Sequence, residues 1–250
     1  MKVICAGAPK TGTKSIARAL RILGYNSVYD VEEAIEFGFE EWEDLMKNRQ
    51  PDMKVLLDTV YSNNVEAVVD MPHSYFFDKF LERWPDAKVI LSIRDEDEWF
   101  RSFKEMLERT NKQYSYFSWL RSFSPSLNRL IGWNLWLFKV TMGIETPNAF
   151  IWKTWYRRHN KFVQATVPPK KLLEYHIEEG WAPLCKFLDK PIPKDDFPFE
   201  NKAGIAHNIA NTLMEDTWIA KKAYREIVLA MTLLPVFVAF IVGLVYFNFF

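Results

Sequence analysis

Two hydrophobic periods alternate along the first two thirds of this chain. Short, largely apolar runs read as buried strands: "KVICAGA" at 2–8, "NSVYD" at 26–30, "EAVVD" at 66–70, "AKVILSI" at 87–93 and "KLLEYH" at 171–176. Between them, apolar residues recur at intervals of three and four. Residues 13–23 put Ile16, Ala19, Leu20 and Leu23 on one face of a helix, and Gly24 follows as its C-cap. Helical patterning also covers 31–48, 74–84, 95–110 and 179–188; Pro85 stops the second of these and "DKPIP" closes the last. Residues 115–165 carry Trp and Phe at helical spacing, interrupted at Pro125 and Pro147. This alternation predicts one α/β domain over 1–220, in three layers (α/β/α) with a mostly parallel sheet. Ligands of such sheets bind at the carboxyl ends of the strands, so the loops at 7–15, 70–74 and 94–102 are expected to share one edge.

Residues 227–250, "IVLAMTLLPVFVAFIVGLVYFNFF", keep neither period and hold no charge. As a helix they extend about 36 Å at about 1.5 Å per residue, enough for a hydrocarbon core of about 30 Å. Pro235 is tolerated in such a helix, and Tyr246 with the Phe cluster suits the far interface. Lys221, Lys222 and Arg225 flank the near end, so the positive-inside rule leaves the body facing the cytosol. The expectation is a single-pass C-terminal transmembrane anchor at 227–250; the alternative is a buried core helix. At the other end residues 1–7 are apolar but too short for a secretory leader.

Composition narrows the partners. Lys+Arg and Asp+Glu both number 32, and this balance argues against a general nucleic-acid binder. Aromatic residues make up 16%, which points to a large core, an apolar pocket or a membrane neighbour. The two cysteines, Cys5 and Cys185, build neither a disulfide framework nor a metal-ligand pair, so no metal and a reducing compartment are expected.

Chemistry enters at "GAPKTGTKS", residues 7–15. Gly7 and Gly12 have the separation of the ATP/GTP loop G-x-x-x-x-G-K-[ST], yet Thr13 stands at the lysine position. Lys14 and Ser15 come one place late, and Lys10 sits inside the loop. Strand, glycine turn and helix in succession still make a phosphate cradle. The glycines let backbone amides approach an anion, and the helix adds its positive dipole end. Thr11, Gly12, Thr13, Lys14 and Ser15 are the candidate binding residues with Lys10.

"APKTGTKSI" resembles the 5′-phosphosulfate loop of the sulfotransferases, of the form Pro-Lys-[Ser/Thr]-Gly-Thr. A second block, "AKVILSIRDEDEWFRSF", supports the resemblance: these enzymes carry an arginine at the end of a central strand and a serine eight residues on, and Arg94 and Ser102 stand so. A third, "EEGWAPLCKFLDKPIPKDDFPFEN" at 178–201, is similar to a eukaryotic subgroup of the family. Together the blocks span roughly residues 2–202. The resemblance implies the donor 3′-phosphoadenosine 5′-phosphosulfate (PAPS) and the product 3′-phosphoadenosine 5′-phosphate (PAP). It implies that Arg94 and Ser102 hold the 3′-phosphate, with Lys202 as a further late-loop contact. It also makes Lys10 catalytic, as the cation on the bridging oxygen from which the sulfuryl group departs.

The proton acceptor has two candidates in "VVDMPHSYFFDKF", Asp70 at the end of a strand and His73 three residues later. Relatives use a histidine or a glutamate here, and neither motif is matched closely. Asp70 also fits a different class: "EAVVD" resembles the strand whose acid holds Mg²⁺ in kinases and NTPases. A third class is a membrane-tethered nucleotide binder without chemistry. The aromatic stretch 114–156 reads as helix packing or as the wall of a lipid-like acceptor site.

Overall fold

The structure, a computed structural model, describes residues 1–49, 52–60, 64–116, 118–143, 146–199 and 217–249. The described residues hold a five-stranded sheet with β1 (Val3–Cys5), β2 (Val28–Tyr29), β3 (Ala67–Val68), β4 (Lys88–Ser92) and β5 (Leu172–Tyr175). The order is β2-β3-β1-β4-β5 and every pairing is parallel. All five strands fall inside the apolar runs expected to form them.

Parallel strands need crossovers, and helices supply them on both faces. On β1, Val3 and Cys5 point to one face and Ile4 to the other; on β4, Ile90 opposes Val89 and Leu91. The first face is covered by α1 (Thr13–Ile22) through Ile16 and Leu20, and by α8 (Trp181–Leu188) through Leu184 and Leu188. The second face is thicker. It takes α2 (Val31–Met46), α4 (Phe77–Arg83), α5 (Glu96–Tyr116), α6 (Pro125–Met142) and α7 (Ala149–Thr166). Phe39, Trp42, Phe77, Phe80, Trp99, Phe103 and Trp152 fill it. Each fully buried aromatic side chain of this size contributes about 2–3 kcal/mol of apolar transfer free energy, so this face dominates the core.

Some boundaries differ from those read in the sequence. Helix α3 (Met53–Val60) is a short helix beyond those expected from the sequence. Helix α5 runs to Tyr116, and a short 3-10 turn, Ser118–Ser122, then leads to α6, where Ser124 caps the helix by accepting from the Leu127 amide. The last helix, α9 (Trp218–Phe249), begins well before the charge-free run. Ile219, Ala220 and Ala223 are buried against the body, whereas Leu229, Val236, Phe240 and Val242 are exposed. Trp218–Phe240 of α9 is long and apolar enough to cross a membrane by length and composition.

Candidate active site

In this strand order the connections after β1 and β4 leave on opposite sides, which opens a crevice at their carboxyl ends. The loop from Ala6 to Gly12 lies there. Gly7 is required by contact: an added Cβ would fall 1.9 Å from Ser92 Oγ and 2.9 Å from the Ser92 nitrogen. Gly12 is required by conformation, with φ +96° at the start of α1. Lys10 also adopts a left-handed backbone, φ 69°, a sparsely populated state for a residue with a side chain. No side chain caps α1 and its first turn holds no acid, so its opening N–H groups suit an anion.

The loop is closed on itself by one bond and held from outside by Ser92, Trp99 and His159. Thr11 Oγ1 donates to the Ala8 carbonyl at 2.6 Å, which leaves Ser92 Oγ–H to donate to Thr11 Oγ1, also at 2.6 Å. The Trp99 indole N–H donates to the Pro9 carbonyl at 2.9 Å. His159 Nε2 lies 2.6 Å from the Ala6 carbonyl and must carry a proton to bond it. Its ring stacks on Trp155, and burial lowers its pKa.

Arg94, two residues past β4, reaches back toward the loop. Its Nη1 stands 3.5 Å from the Lys10 carbonyl, and its Nε meets Glu98 at 3.3 Å. The Arg94 backbone is pinned by Tyr156, whose ring stacks on Trp99 with centroids 4.3 Å apart. Ser102 is half-buried on α5, one turn beyond Glu98 on the same helical face. Lys10 is half-buried; burial lowers its pKa, with Asp70 opposing and Arg94 and Arg109 reinforcing.

Two predicted donors, Thr13 and Lys14, have acidic partners here. Thr13 Oγ1 donates to Asp70 Oδ2 at 2.6 Å. Lys14 Nζ lies 2.5 Å from Glu32 Oε2 and 3.0 Å from Asp30 Oδ2. Burial opposes the Lys14 charge, but Asp30, Glu32 and Asp70 together hold its pKa above the ordinary lysine value. The same burial pushes Asp30 up to about 6, against the pull of Lys14. Ser15 is buried on the first turn of α1.

Asp70 stands two residues past β3 in a left-handed conformation, φ 61°, and its Oδ1 accepts the Met71 amide at 2.7 Å. Its carboxylate therefore touches the first turn of α1. His73 has a different setting: it is fully buried, edge-on to Trp42 and Phe80, with Nδ1 3.1 Å from the Val69 carbonyl. Burial depresses its pKa to about 4. Lys202 lies outside the described residues. Among the described residues no cluster of His, Cys, Asp and Glu is suited to hold a metal ion.

Residues 2–205 match the model of a sulfotransferase domain. The chain belongs to the sulfotransferase family. A relative, "Ava biosynthesis cluster protein M" of Aspergillus versicolor, is 28% identical over 226 residues, which cover 79% of this chain and 80% of that protein. The match embraces the loop, both strand ends beside it and all five strands of the sheet. The family makes the chain an enzyme of sulfuryl transfer and implies PAPS as its donor. Four residues hold this sulfotransferase's crevice together, Ser92, Trp99, Tyr156 and His159, and none of them is a site residue expected from the sequence. Tyr156 and His159 act through partners 62 and 153 residues away, a relation that no local motif announces.

Proposed function

We propose that this sulfotransferase moves a sulfuryl group from PAPS to an acceptor hydroxyl or amine, with its α/β body in the cytosol and α9 as its membrane tether. The observation that carries the donor assignment is the meeting of Arg94 and Lys10. Their strands are neighbours, with Cys5 opposite Ile90, and the guanidinium of one stands at the backbone of the other. Two cationic residues, one in the loop after β1 and one two residues past β4, thus stand beside an uncapped helix N-terminus, a setting for a nucleotide with anionic groups at both ends.

In this reading backbone amides of the loop and α1 receive the 5′-phosphosulfate. Lys10 neutralises the charge that grows on the bridging oxygen, and so favours the transition state over the ground state. Arg94 and Ser102 take the 3′-phosphate. Thr13 and Lys14 act on the loop through Asp70, Asp30 and Glu32, which bond them directly. Asp70 accepts the acceptor's proton, because it touches the first turn of α1 whereas His73 is enclosed by aromatic rings. The acceptor is left at hydroxyl or amine. The aromatic residues that suggested a lipid-like one are largely taken up by packing, Trp133 and Trp152 in the core and Trp155 against His159.

The Thr13–Asp70 bond also suits a Mg²⁺-dependent kinase, whose strand-end acid faces the loop. One experiment separates the two. The full chain in detergent is heated with PAP, ATP or AMP, with and without Mg²⁺, because a ligand of the folded state raises its melting point. Stabilisation by PAP alone, independent of Mg²⁺ and lost in Arg94→Ala, is the expected result. Stabilisation by ATP that requires Mg²⁺ overturns the reading.

A further inference from the structure

Ten tryptophans occur in the chain, and among them Trp119 alone is exposed, at 53%. It sits on the 3-10 turn Ser118–Ser122, edge-on to Phe123 with ring centroids 6.0 Å apart. The core makes no use of its outer face. Its position relative to α9 is what gives it meaning.

Helices α6 and α9 pack antiparallel. Ala223 and Ile227 of α9 share a small apolar cluster with Leu127 and Ile131 of α6 and with Leu120 of the 3-10 turn. At the same level Glu226 accepts from the Ser124 hydroxyl at 2.7 Å, the Ser126 amide at 3.0 Å and the Ser126 hydroxyl at 2.8 Å. The last acid before the charge-free run of α9 is thereby engaged by the N-terminus of α6. The cations at this level stay outward: Lys221, Lys222 and Arg225 are exposed, and Arg121 of the turn is half-buried with its guanidinium on Asn128. So the body ends, at the point where α9 becomes apolar all round, in an exposed tryptophan, a second aromatic ring and a band of cations.

We infer that the turn Ser118–Ser122 with Phe123 is a membrane-contact surface, with Trp119 seated at the boundary between headgroups and acyl chains beside the entry of α9. Tryptophan favours that depth because its indole has an apolar body and a polar edge. The cation band favours anionic headgroups, each exposed Lys or Arg near such a surface contributing about 1 kcal/mol. The inference rests on α9 being a membrane tether. It adds that the folded body itself touches the bilayer, at one face.

The test uses the full chain reconstituted in vesicles of mixed anionic and zwitterionic lipid, with single cysteines labelled by an environment-sensitive fluorophore. Cys5 and Cys185 are buried, so added cysteines are the reactive ones. Three sites are compared: Trp119→Cys, Val236→Cys within α9, and Ile192→Cys, which is 60% exposed beyond α8. Spin-labelled lipids then report depth. The expected result is quenching at 236 by deep labels, at 119 by shallow labels with blue-shifted emission, and none at 192. Quenching at 236 with none at 119 overturns the inference and leaves the tether standing. No quenching at 236 removes the tether and the inference together. Equal quenching at 119 and 192 also overturns it, since adsorption would then have no preferred face.

Discussion

Tyr156 holds Arg94 through one hydroxyl, which donates to the Arg94 carbonyl at 2.9 Å and accepts from its amide at 3.0 Å. Arg94, the proposed ligand of the 3′-phosphate, thus has its backbone placed by a residue of α7. Tyr156→Phe keeps the ring stacked on Trp99 and removes both bonds. Net hydrogen bonds are worth about 0.5–1.5 kcal/mol each, so about tenfold weaker donor binding is expected. Steady-state kinetics check it: KM for PAPS should rise while kcat changes less. Equal loss in both would mean that Tyr156 serves the reaction centre and not the donor clamp.

Glu98 pairs with Arg94 at 3.3 Å, on the helical face that leads to Ser102. In the proposed donor site it would compete with the 3′-phosphate for the guanidinium and also repel it. An exposed pair of this kind is weak, so its removal has a modest effect. Glu98→Gln should tighten PAP by about two- to fivefold, read by titration calorimetry at low salt. Weaker binding would show that Glu98 orients Arg94 instead of blocking it.

Gly7 has no room for a methyl group, because Ser92 Oγ would lie 1.9 Å from it. Gly7→Ala must push the loop from the end of β4 and should cost about 1–3 kcal/mol in denaturant unfolding. Adding Ser92→Gly to Gly7→Ala removes the nearest atom, although the Ser92 backbone nitrogen at 2.9 Å remains. Partial recovery of the midpoint is expected. A neutral Gly7→Ala would mean that the loop does not pack on β4.

His73 supplies a pH signature. Its folded pKa is depressed to about 4 from an ordinary 6.5, because burial disfavours the imidazolium. The unfolded chain then binds the proton first, so this group's stability contribution is complete above about 6.5 and is lost as pH falls toward about 4. The opposite holds for Asp30, raised to about 6, and the two trends overlap in mild acid. Subtracting the pH profile of His73→Gln from that of the parent isolates the histidine. The difference should shrink by about 3 kcal/mol between neutral pH and pH 4. A difference that is flat with pH would place His73 in contact with water and return it to consideration as the base.

The strands and most helices were legible because each is a local pattern. "AKVILSI" forms β4 almost residue for residue, and the polar stretch opening at Asp30 becomes α2 with Asp30 as its cap. The crevice was legible only in outline. Lys14 reads as a phosphate ligand in "GTKS", yet Asp30 and Glu32 claim it from the β2–α2 corner. That corner comes near only because α1 leads the chain out to β2 at the sheet edge. His73 and Asp70 are three residues apart and both are candidates in sequence, with Asp70 favoured for its strand-end position; one faces aromatic rings and the other the start of α1. Helix α3 carries Met53, Leu56, Leu57 and Val60 at helical spacing, but a span of 8 residues is too short for the pattern to stand out.

Helix α9 passes without a break from its seat against α6 to Phe249. As the proposed tether, a helix built this way would be a mount and not a leash. The enzyme would keep a fixed tilt above the lipid, spinning about the bilayer normal but not tumbling. An acceptor held in the same membrane would then meet one aspect of the crevice, and the search for it would be a two-dimensional one.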